Sequence, residues 1–342
     1  MTMRRMLLLP LTPIYTAVVR WKRVQYTKGR RTPQRLAQAV ISVGSVSAGG
    51  AGKTPFVLML ADVLGRREYA VRILTRGYRR ESREVERVDP EGDARRFGDE
   101  PMLLARRSRA PVYVGADRYA AGLLAEKEPA RGLVIHLLDD GFQHRRLARE
   151  LDIVLLTQRD VEGELLPAGD LREPLSALSE ADVIVVREEE SEALHAFLIS
   201  RVWSRGEAPP IWLIRRSLEF GVGGGSLPKR LVAFCGIARP EGFTRMLEER
   251  GVRPTGVVTF RDHHRYVEED VTRLIAEARR IGADGLVTTE KDAVKLTREM
   301  RERLEEIGPL VVAELRVELV DERGVMEQMI SMVPRLDRRR NR

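Results

Sequence analysis

Residues 42–55 of the chain read Ser-Val-Gly-Ser-Val-Ser-Ala-Gly-Gly-Ala-Gly-Lys-Thr-Pro. An apolar run, residues 39–43, leads into this stretch, and an apolar, helix-forming run, residues 56–64, leads out of it. A strand, a glycine-rich turn, Gly-Lys-Thr and a helix follow one another in a phosphate-binding loop, where backbone N–H groups and the helix N-terminus face the phosphates. We therefore predict that eight residues bind a nucleotide: Ser47, Ala48, Gly49, Gly50, Ala51, Gly52, Lys53 and Thr54.

Two side chains of this stretch have specific predicted roles. Lys53 is expected to reach the β- and γ-phosphates, and Thr54 to give its hydroxyl to Mg²⁺. The loop departs from the usual pattern, because Ser47 stands where the motif has its first glycine. A serine can serve there if its φ is negative. The stretch is therefore interpreted as a variant phosphate loop; a glycine-rich turn that happens to carry Gly-Lys-Thr is the alternative.

The positive charge of the chain is concentrated near its N-terminus. The 342 residues include 59 Lys or Arg and 51 Asp or Glu, a net charge of +8. Ten of these cations lie within residues 1–61, which contain no acidic residue, so 49 cations face 51 acids in the rest of the chain. This distribution argues against a general nucleic-acid-binding surface and predicts a local basic patch.

An amphipathic helix is predicted within this basic segment. The first apolar run of the chain is too short to span a bilayer and lacks the cleavage site of a signal peptide. Thr12-Pro13 is a typical helix start, and Ile14, Val18 and Trp21 then recur on one face. Basic residues crowd the other face and the exit: Arg20, Lys22, Arg23, Lys28, Arg30 and Arg31. We predict that residues 1–30 form a membrane-associated basic helix on an anionic surface, although a helix packed on the protein body would give the same pattern.

Strands and helices alternate along the rest of the chain. This order predicts an α/β fold, a P-loop core with a doubly wound, mostly parallel sheet, whose ligands bind at the carboxyl ends of the strands. The composition changes at the glycine-rich residues 221–228, which we interpret as a linker. The predicted domains are the P-loop core, residues 31–220, and a second, smaller α/β domain, residues 229–342, that closes over the site. The single cysteine, Cys235, excludes internal disulfides and is expected to pack in an apolar run.

Several polar side chains at predicted strand ends suit phosphoryl transfer, which needs metal ligands and cations around the phosphates. Asp139 and Asp140 follow a strongly apolar run, as in a Walker B site, and are candidates for Mg²⁺. A helix cap or a solvated turn would explain the two aspartates as well. Arg76, Arg118 and Arg172 lie in predicted strand-end loops or at helix starts, where they could stabilise phosphate charge.

An acid and a histidine are candidates for the proton transfer. Asp99-Glu100-Pro101 could be a simple helix start with a favourable acid and a proline. His263, which follows a predicted strand in the second domain, could be an ordinary surface histidine. A histidine beside an aspartate in a nucleotide-binding cleft is, however, the usual partner for deprotonating a hydroxyl.

These motifs together resemble the tetraacyldisaccharide 4'-kinases, the lipid A 4'-kinases of Gram-negative bacteria. The motifs that carry the resemblance are the loop 47–54, Arg76-Gly77-Tyr78, Gly98-Asp99-Glu100-Pro101, residues 139–144, 165–169 and 171–174, Asp262-His263 and residues 289–293, and they run in family order. The departures are at Ser45, Ser47, Arg79, residues 162–164 and Asp170, where the family usually has other residues.

The resemblance implies ATP-dependent phosphorylation of the 4'-hydroxyl of a tetraacylated, β-linked glucosamine disaccharide 1-phosphate, at the cytoplasmic face of the inner membrane. It implies that Asp99 acts as a base assisted by His263. Lys53 and Arg172 are the other expected catalytic residues. The expected Mg²⁺ ligands are Thr54, Asp139, Asp140 and Glu100. The expected substrate contacts are Arg76, Tyr78, Arg118, Gln143 and His144. No nucleic acid and no obligate protein partner is expected.

Two other interpretations stay open on the residues alone. One is a P-loop NTPase that uses its nucleotide as a switch in metal insertion or protein targeting. A switch needs no base for an alcohol, so a role for Asp99 and His263 would distinguish the two. The other is a membrane-docked nucleotide-binding module without catalysis, in which Asp139 could be replaced without loss. Lys291 or Asp292 could touch the nucleotide, although a helix start explains both.

Overall fold

The structure is a computed structural model that describes residues 8–203, 208–221 and 227–337. The strands of these residues are β1 Ala39–Ser45, β2 Ala70–Thr75, β3 Glu86–Arg87, β4 Val112–Val114, β5 Val134–Asp139, β6 Leu151–Leu155, β7 Val183–Arg187, β8 Ile211–Phe220, β9 Leu231–Cys235, β10 Gly256–Thr259, β11 Gly285–Thr289 and β12 Leu310–Leu319. They form one sheet in the order β10-β9-β11-β12-β8-β7-β6-β1-β5-β2-β4-β3.

Helices cover both faces of this sheet. They are α1 Thr12–Thr27, α2 Lys53–Arg66, α3 Ala94–Phe97, α4 Asp99–Arg107, α5 Arg118–Glu126, α6 Gln158–Val161, α7 Ser191–Arg201, α8 Pro240–Glu249, α9 Glu268–Ile281, α10 Glu290–Ala293, α11 Arg298–Leu304 and α12 Glu322–Met332. Short 3₁₀ helices lie at Leu9–Leu11, Leu175–Glu180, Glu188–Glu190 and Pro334–Leu336. The α/β class and the mostly parallel sheet expected from the sequence are confirmed.

The sheet has a first half, β1 to β8, and a second half, β9 to β12. The strand β1 lies at the centre of the first half. It pairs in parallel with β5 on one side and β6 on the other. All seven of its residues are buried, as expected for a parallel strand covered by helices on both faces. The carboxyl ends of β1, β2 and β5 therefore meet at one edge of the sheet, where the phosphate loop follows β1.

An antiparallel pair joins the two halves of the sheet. β8 runs parallel to β7 of the first half, β12 runs parallel to β11 of the second half, and β8 and β12 pair antiparallel along seven residues each. The glycine-rich linker predicted at residues 221–228 lies between β8 and β9; residues 222–226 of it lie outside the described part of the chain.

The last helix returns to the first half. Val325 and Met329 of α12 share a buried cluster with Phe56, Leu60 and Leu64 of α2. This packing favours counting α12 with the core, while the domain boundaries drawn from the sequence stay a prediction. Cys235 is buried in a separate cluster of the second half, as expected, and burial raises the pKa of its thiol to about 12.

A helix is present in the predicted segment 1–30 as α1, and it starts at Thr12, one residue before Pro13, while residues 1–7 of that segment lie outside the described part of the chain. It contacts the body through Tyr15 and Arg23: the Tyr15 hydroxyl donates to the carbonyl oxygen of Arg172 at 3.0 Å, and Arg23 forms an ion pair with Glu180. Its apolar side chains face outward, with Ile14 63% and Trp21 55% exposed. Within the described residues, we find no helix whose length and apolar character would carry it across a membrane.

Candidate active site

The phosphate loop connects β1 to α2 and has the backbone of a phosphate cradle. Gly50 and Gly52 have φ of +77° and +88°, a conformation that side-chain-bearing residues seldom adopt. Ser47 is not among the residues of positive φ in the described part of the chain, which is the condition under which a serine can replace the first glycine. Lys53 and Thr54 are the first two residues of α2, so the helix N-terminus faces the loop.

Lys53 lies at the mouth of this loop. Its Nζ donates to the Ser45 hydroxyl at 3.0 Å and lies 3.3 Å from Asp140 Oδ1. The Ser45 hydroxyl donates in turn to the carbonyl oxygen of Ser47 at 2.9 Å. Ser45, where the family usually has another residue, thus links the lysine to the start of the loop.

Asp139 is the last residue of β5 and Asp140 follows it, and the surroundings of the two differ. Burial raises the pKa of Asp139 to about 7, with Glu100 and Asp140 adding to the shift. Burial would also raise the pKa of Asp140, but Lys53 and Arg172 outweigh it and hold this pKa at about 2. Asp139 accepts a hydrogen bond from the Thr75 hydroxyl at 2.9 Å.

Arg172 connects the acidic strand end to the phosphate loop. Its Nη1 lies 2.6 Å from Asp140 Oδ2, and its Nη2 donates to the carbonyl oxygen of Ala48 at 2.8 Å. The backbone N–H of Ala48 donates to the carbonyl oxygen of Asp170 at 2.8 Å. The segment around Arg172 therefore lies against the first residues of the loop, and its guanidinium is placed close to where phosphates would bind.

The predicted metal ligands fit a hard divalent cation. Asp139, Asp140 and Glu100 crowd negative charge near Lys53, and buried carboxylates that raise one another's pKa are relieved by a cation. No set of three or more His, Cys, Asp or Glu among the described residues could form a metal cage by itself. Mg²⁺ usually takes one or two carboxylates and completes its shell with water and phosphate oxygens, so the donor set suits Mg²⁺.

Glu100 has a cationic partner in the second half of the molecule. Its Oε1 accepts a hydrogen bond from Lys291 Nζ at 2.8 Å. The charge of Lys291 lowers the pKa of Glu100 by more than burial raises it. The link also explains the position of Lys291, for which the sequence left a nucleotide contact or a helix start open. The metal role of Glu100 stays a prediction.

Asp99 and His263 come together from the two halves of the molecule. His263 Nδ1 lies 3.2 Å from Asp99 Oδ2, and each side chain is 21% exposed. Asp99 is the first residue of α4, directly after Gly98, whose φ is +97°. His263 has a φ of +57°, and its N–H donates to the carbonyl oxygen of Gly236 at 3.2 Å. The two residues that the sequence placed 164 positions apart are therefore in contact.

One predicted substrate contact, Tyr78, lies against His263. Tyr78 is 52% exposed, and its ring meets that of His263 edge-on, with ring centroids 5.4 Å apart. Arg118 is buried; burial, followed by repulsion from the charge of exposed Arg76, lowers its pKa to about 10. An anion would relieve this repulsion.

Gln143 and His144 lie just behind the strand ends. Gln143 Nε2 donates to the carbonyl oxygen of Ser45 at 2.8 Å, so its amide supports the last residue of β1. Burial, followed by the charge of Arg118, lowers the pKa of His144 to about 4, so its imidazole is neutral at neutral pH. Their contact with substrate stays a prediction.

One further residue, Arg239, contacts the loop. Arg239, the residue before α8, donates from its guanidinium to the carbonyl oxygens of Gly49 and Gly50 at 3.2 and 3.3 Å. An arginine before a proline at a helix start is an ordinary surface pattern, so the sequence carries no signal for this contact.

Comparisons with known proteins identify the family of this chain. The family model described as tetraacyldisaccharide-1-P 4'-kinase matches residues 4–334. A protein named tetraacyldisaccharide 4'-kinase from Koribacter versatilis is 39% identical over 339 residues, which cover 95% of this chain and 98% of that protein. One of the same name from Geobacter metallireducens is 38% identical over 332 residues, covering 92% and 94%.

A solved structure extends the agreement to the fold. The crystal structure of the "apo" form of LpxK from Aquifex aeolicus in complex with ATP superposes with a TM-score of 0.75 at 29% identity, and the match covers 97% of this chain and all of that one. Since the family model and these relatives extend over nearly the whole chain, the chain belongs to the tetraacyldisaccharide 4'-kinase family.

Proposed function

We propose that this chain is a kinase of lipid A biosynthesis, which transfers the γ-phosphoryl group of ATP to the 4'-hydroxyl of a tetraacylated glucosamine disaccharide 1-phosphate. Family membership supports the reaction and the acceptor. The observation that carries the proposal within this molecule is the contact between Asp99 and His263 at 3.2 Å, next to a phosphate loop. Glu100, which follows Asp99, is close enough to Lys53 for the lysine to lower its pKa.

The phosphates of ATP are expected to lie against residues 47–54. Lys53 would neutralise their charge, and Arg172, which already contacts Ala48 and Asp140, would approach the transferred group from the other side. Thr54, Asp139 and Asp140 would hold Mg²⁺, which supplies further positive charge to the phosphate oxygens when it is bound.

Asp99 is the group that would receive the proton of the acceptor hydroxyl. As the new bond from the 4'-oxygen to phosphorus forms, the bond to ADP breaks and a carboxylate oxygen of Asp99 takes the proton. His263 would hold that carboxylate in place through its Nδ1. A nucleotide switch has no need of such a pair, so this arrangement favours the kinase over the switch or a non-catalytic module.

The helix α1 would bring the chain to its lipid substrate as a peripheral protein at the cytoplasmic face of the inner membrane. Leu11, Ile14, Val18 and Trp21 are exposed along α1 and beside it, while its basic residues suit an anionic surface. Since Tyr15 contacts the backbone of Arg172, the membrane-facing helix lies next to a predicted catalytic residue.

The test is to incubate the purified chain with γ-labelled ATP, Mg²⁺ and a lipid extract that contains the disaccharide acceptor. The proposal expects label to move into a glycolipid. Label that appears in inorganic phosphate or in protein, with none in glycolipid, would contradict it. The matched control is Lys53→Ala, which should transfer label about a hundred- to a thousandfold more slowly.

A further inference from the structure

The phosphate loop is held from outside by the second half of the molecule. Arg239 Nη2 donates to the carbonyl oxygen of Gly49 at 3.2 Å, and its Nη1 donates to that of Gly50 at 3.3 Å. Gly49 and Gly50 lie 190 and 189 positions before Arg239 in the chain, and Arg239 lies on the other side of the β8–β12 pair. The contact therefore exists only while the second half lies against the first.

The loop is built to admit this arginine. A Cβ atom placed on Gly50 would lie 2.5 Å from Arg239 Nε, closer than side-chain carbons come to other atoms. A Cβ there would require the guanidinium to shift, and the φ of +77° at Gly50 independently favours glycine. Ala238 approaches Gly49 as well, with its Cβ 3.9 Å from where a Gly49 side chain would begin.

Arg239 is presented on a short and well-anchored loop. The strand β9 ends at Cys235, and the next N–H, that of Gly236, donates to the buried carboxylate of Asp292 at 3.0 Å. Four residues later, Pro240 begins α8 and restricts the backbone of Arg239 itself. The guanidinium therefore has a fixed base from which to reach the phosphate loop.

Holding a carbonyl oxygen also fixes the N–H group on the other side of the same peptide. The peptide unit is planar and trans, so its C=O and N–H point in opposite directions. The carbonyl of Gly49 shares a peptide with the N–H of Gly50, and the carbonyl of Gly50 shares one with the N–H of Ala51. Among the described residues, no hydrogen bond takes up either of these two N–H groups.

We propose that Arg239 is a positioning residue for the nucleotide: by holding the outer carbonyl oxygens of Gly49 and Gly50, it turns the N–H groups of Gly50 and Ala51 toward the phosphates. The alignment of the cradle then depends on the second half of the molecule being closed over the first. The inference rests on the proposed function only in taking a nucleotide as the ligand of the loop.

The test compares the binding of ADP with Mg²⁺ by calorimetry, in the absence of any acceptor lipid. Arg239→Ala removes two hydrogen bonds from a charged donor, and we expect its Kd for ADP to rise about tenfold. Arg239→Lys, which keeps the charge but reaches one carbonyl at a time, should rise about threefold. Arg239→Met keeps the apolar stem without donors and should match Arg239→Ala, so it decides the question if the alanine variant does not fold.

The matched control is Arg159→Ala. Arg159 is a neighbouring cation that also spans the two halves, since it lies 3.6 Å from Glu241 and 3.7 Å from Asp170, but no hydrogen bond links it to the loop carbonyls. Its Kd for ADP should stay within about twofold of wild type, because surface ion pairs contribute little. An equal loss in Arg159→Ala and Arg239→Ala would attribute the effect to general charge and overturn the proposal.

Steady-state rates separate positioning from direct catalysis. For Arg239→Ala, KM for ATP should rise with Kd, while kcat at saturating ATP stays within about threefold, as expected when binding is lost equally in ground and transition states. A Kd for ADP in Arg239→Ala equal to that of wild type would refute the proposal. If this unchanged Kd came with a large loss of kcat, Arg239 would instead act on the transferred group. If wild type binds ADP but leaves the lipid unlabelled, the proposed acceptor is wrong and the ADP result still decides the role of Arg239.

Discussion

Replacing Asp99 and His263 singly and together should show that they act as one unit. A positioned base contributes about a hundred- to ten-thousandfold, and the lower end is expected here because phosphoryl transfer depends mostly on positioning and charge. We therefore expect Asp99→Ala to lose about a hundredfold in kcat. The contact at 3.2 Å between side chains that are 21% exposed is typical of pairs whose coupling is about 1.4–2.8 kcal/mol, or ten- to a hundredfold.

The double variant should therefore lose about ten- to a hundredfold less than the product of the two single losses. The assay is the initial rate of label transfer at saturating ATP and acceptor. His264→Ala is the matched control, because His264 is the next residue but pairs with Asp270 at 2.8 Å and stacks on Phe260. In the double variant of Asp99 and His264, the loss of rate should equal the product of the two single losses. If the Asp99 and His263 losses multiply in the same way, the two residues are not partners and the proposed base loses its orienting group.

Four further outcomes follow from the same geometry. Lys53→Ala should lower turnover at saturating ATP about a hundred- to a thousandfold, and a rate within a few-fold of wild type would reject its place at the phosphates. Asp139→Asn and Asp140→Asn should each raise the Mg²⁺ concentration needed for half-maximal rate, and unchanged titrations for both would count against the metal site. Deleting residues 1–30 should abolish sedimentation with anionic vesicles, which in the intact chain should weaken with salt and with neutral lipid; binding that survives the deletion would contradict the membrane role of the helix. Burial lowers the pKa of His136 to about 4, so its protonation favours the unfolded chain. As the pH is lowered from 6.5 to 4, the free energy of unfolding, measured with urea, should fall by about 1.4 kcal/mol per pH unit more in wild type than in His136→Gln. Equal slopes in the two proteins would refute this assignment.

The phosphate loop and its surroundings could be predicted because their signals are local. The apolar run before residue 44 had to be a buried strand, and glycines followed by Lys53-Thr54 fix the turn and the helix start. Asp139 and Asp140 could be placed beside them, since parallel strands bring their carboxyl ends to one edge. The contact of Asp99 with His263 was expected from the family resemblance, and the distance between them now supports it.

The antiparallel pair β8–β12, which joins the two halves of the sheet, could not be predicted in the same way. The apolar run 310–312 is typical of a short parallel strand, yet β12 continues to Leu319, with Leu315, Val317 and Leu319 alternating with charged residues. That alternation is typical of an antiparallel strand with one exposed face. In β8, Arg215 and Arg216 interrupt the apolar pattern, so the sequence does not indicate this strand.

Contacts between distant side chains were also beyond the sequence. Nothing local indicates that Arg172 contacts Asp140, that Lys291 pairs with Glu100, or that Arg239 reaches the phosphate loop. Each of these depends on how far a strand-end loop projects and on which element lies across from it. Only the three-dimensional arrangement of these loops and elements determines those distances.

The paired strands β8 and β12 also decide in which direction the molecule can deform. A flexible loop between two bodies would let them part along any path, whereas a ladder of seven paired residues resists being stretched or sheared and yields most readily to torsion. The β8–β12 pair should therefore deform mainly by twisting about one axis. Rotation of the second half about that axis would move His263 and Arg239 together, so the Asp99–His263 contact and the hydrogen bonds from Arg239 to the phosphate loop would form and break at the same time.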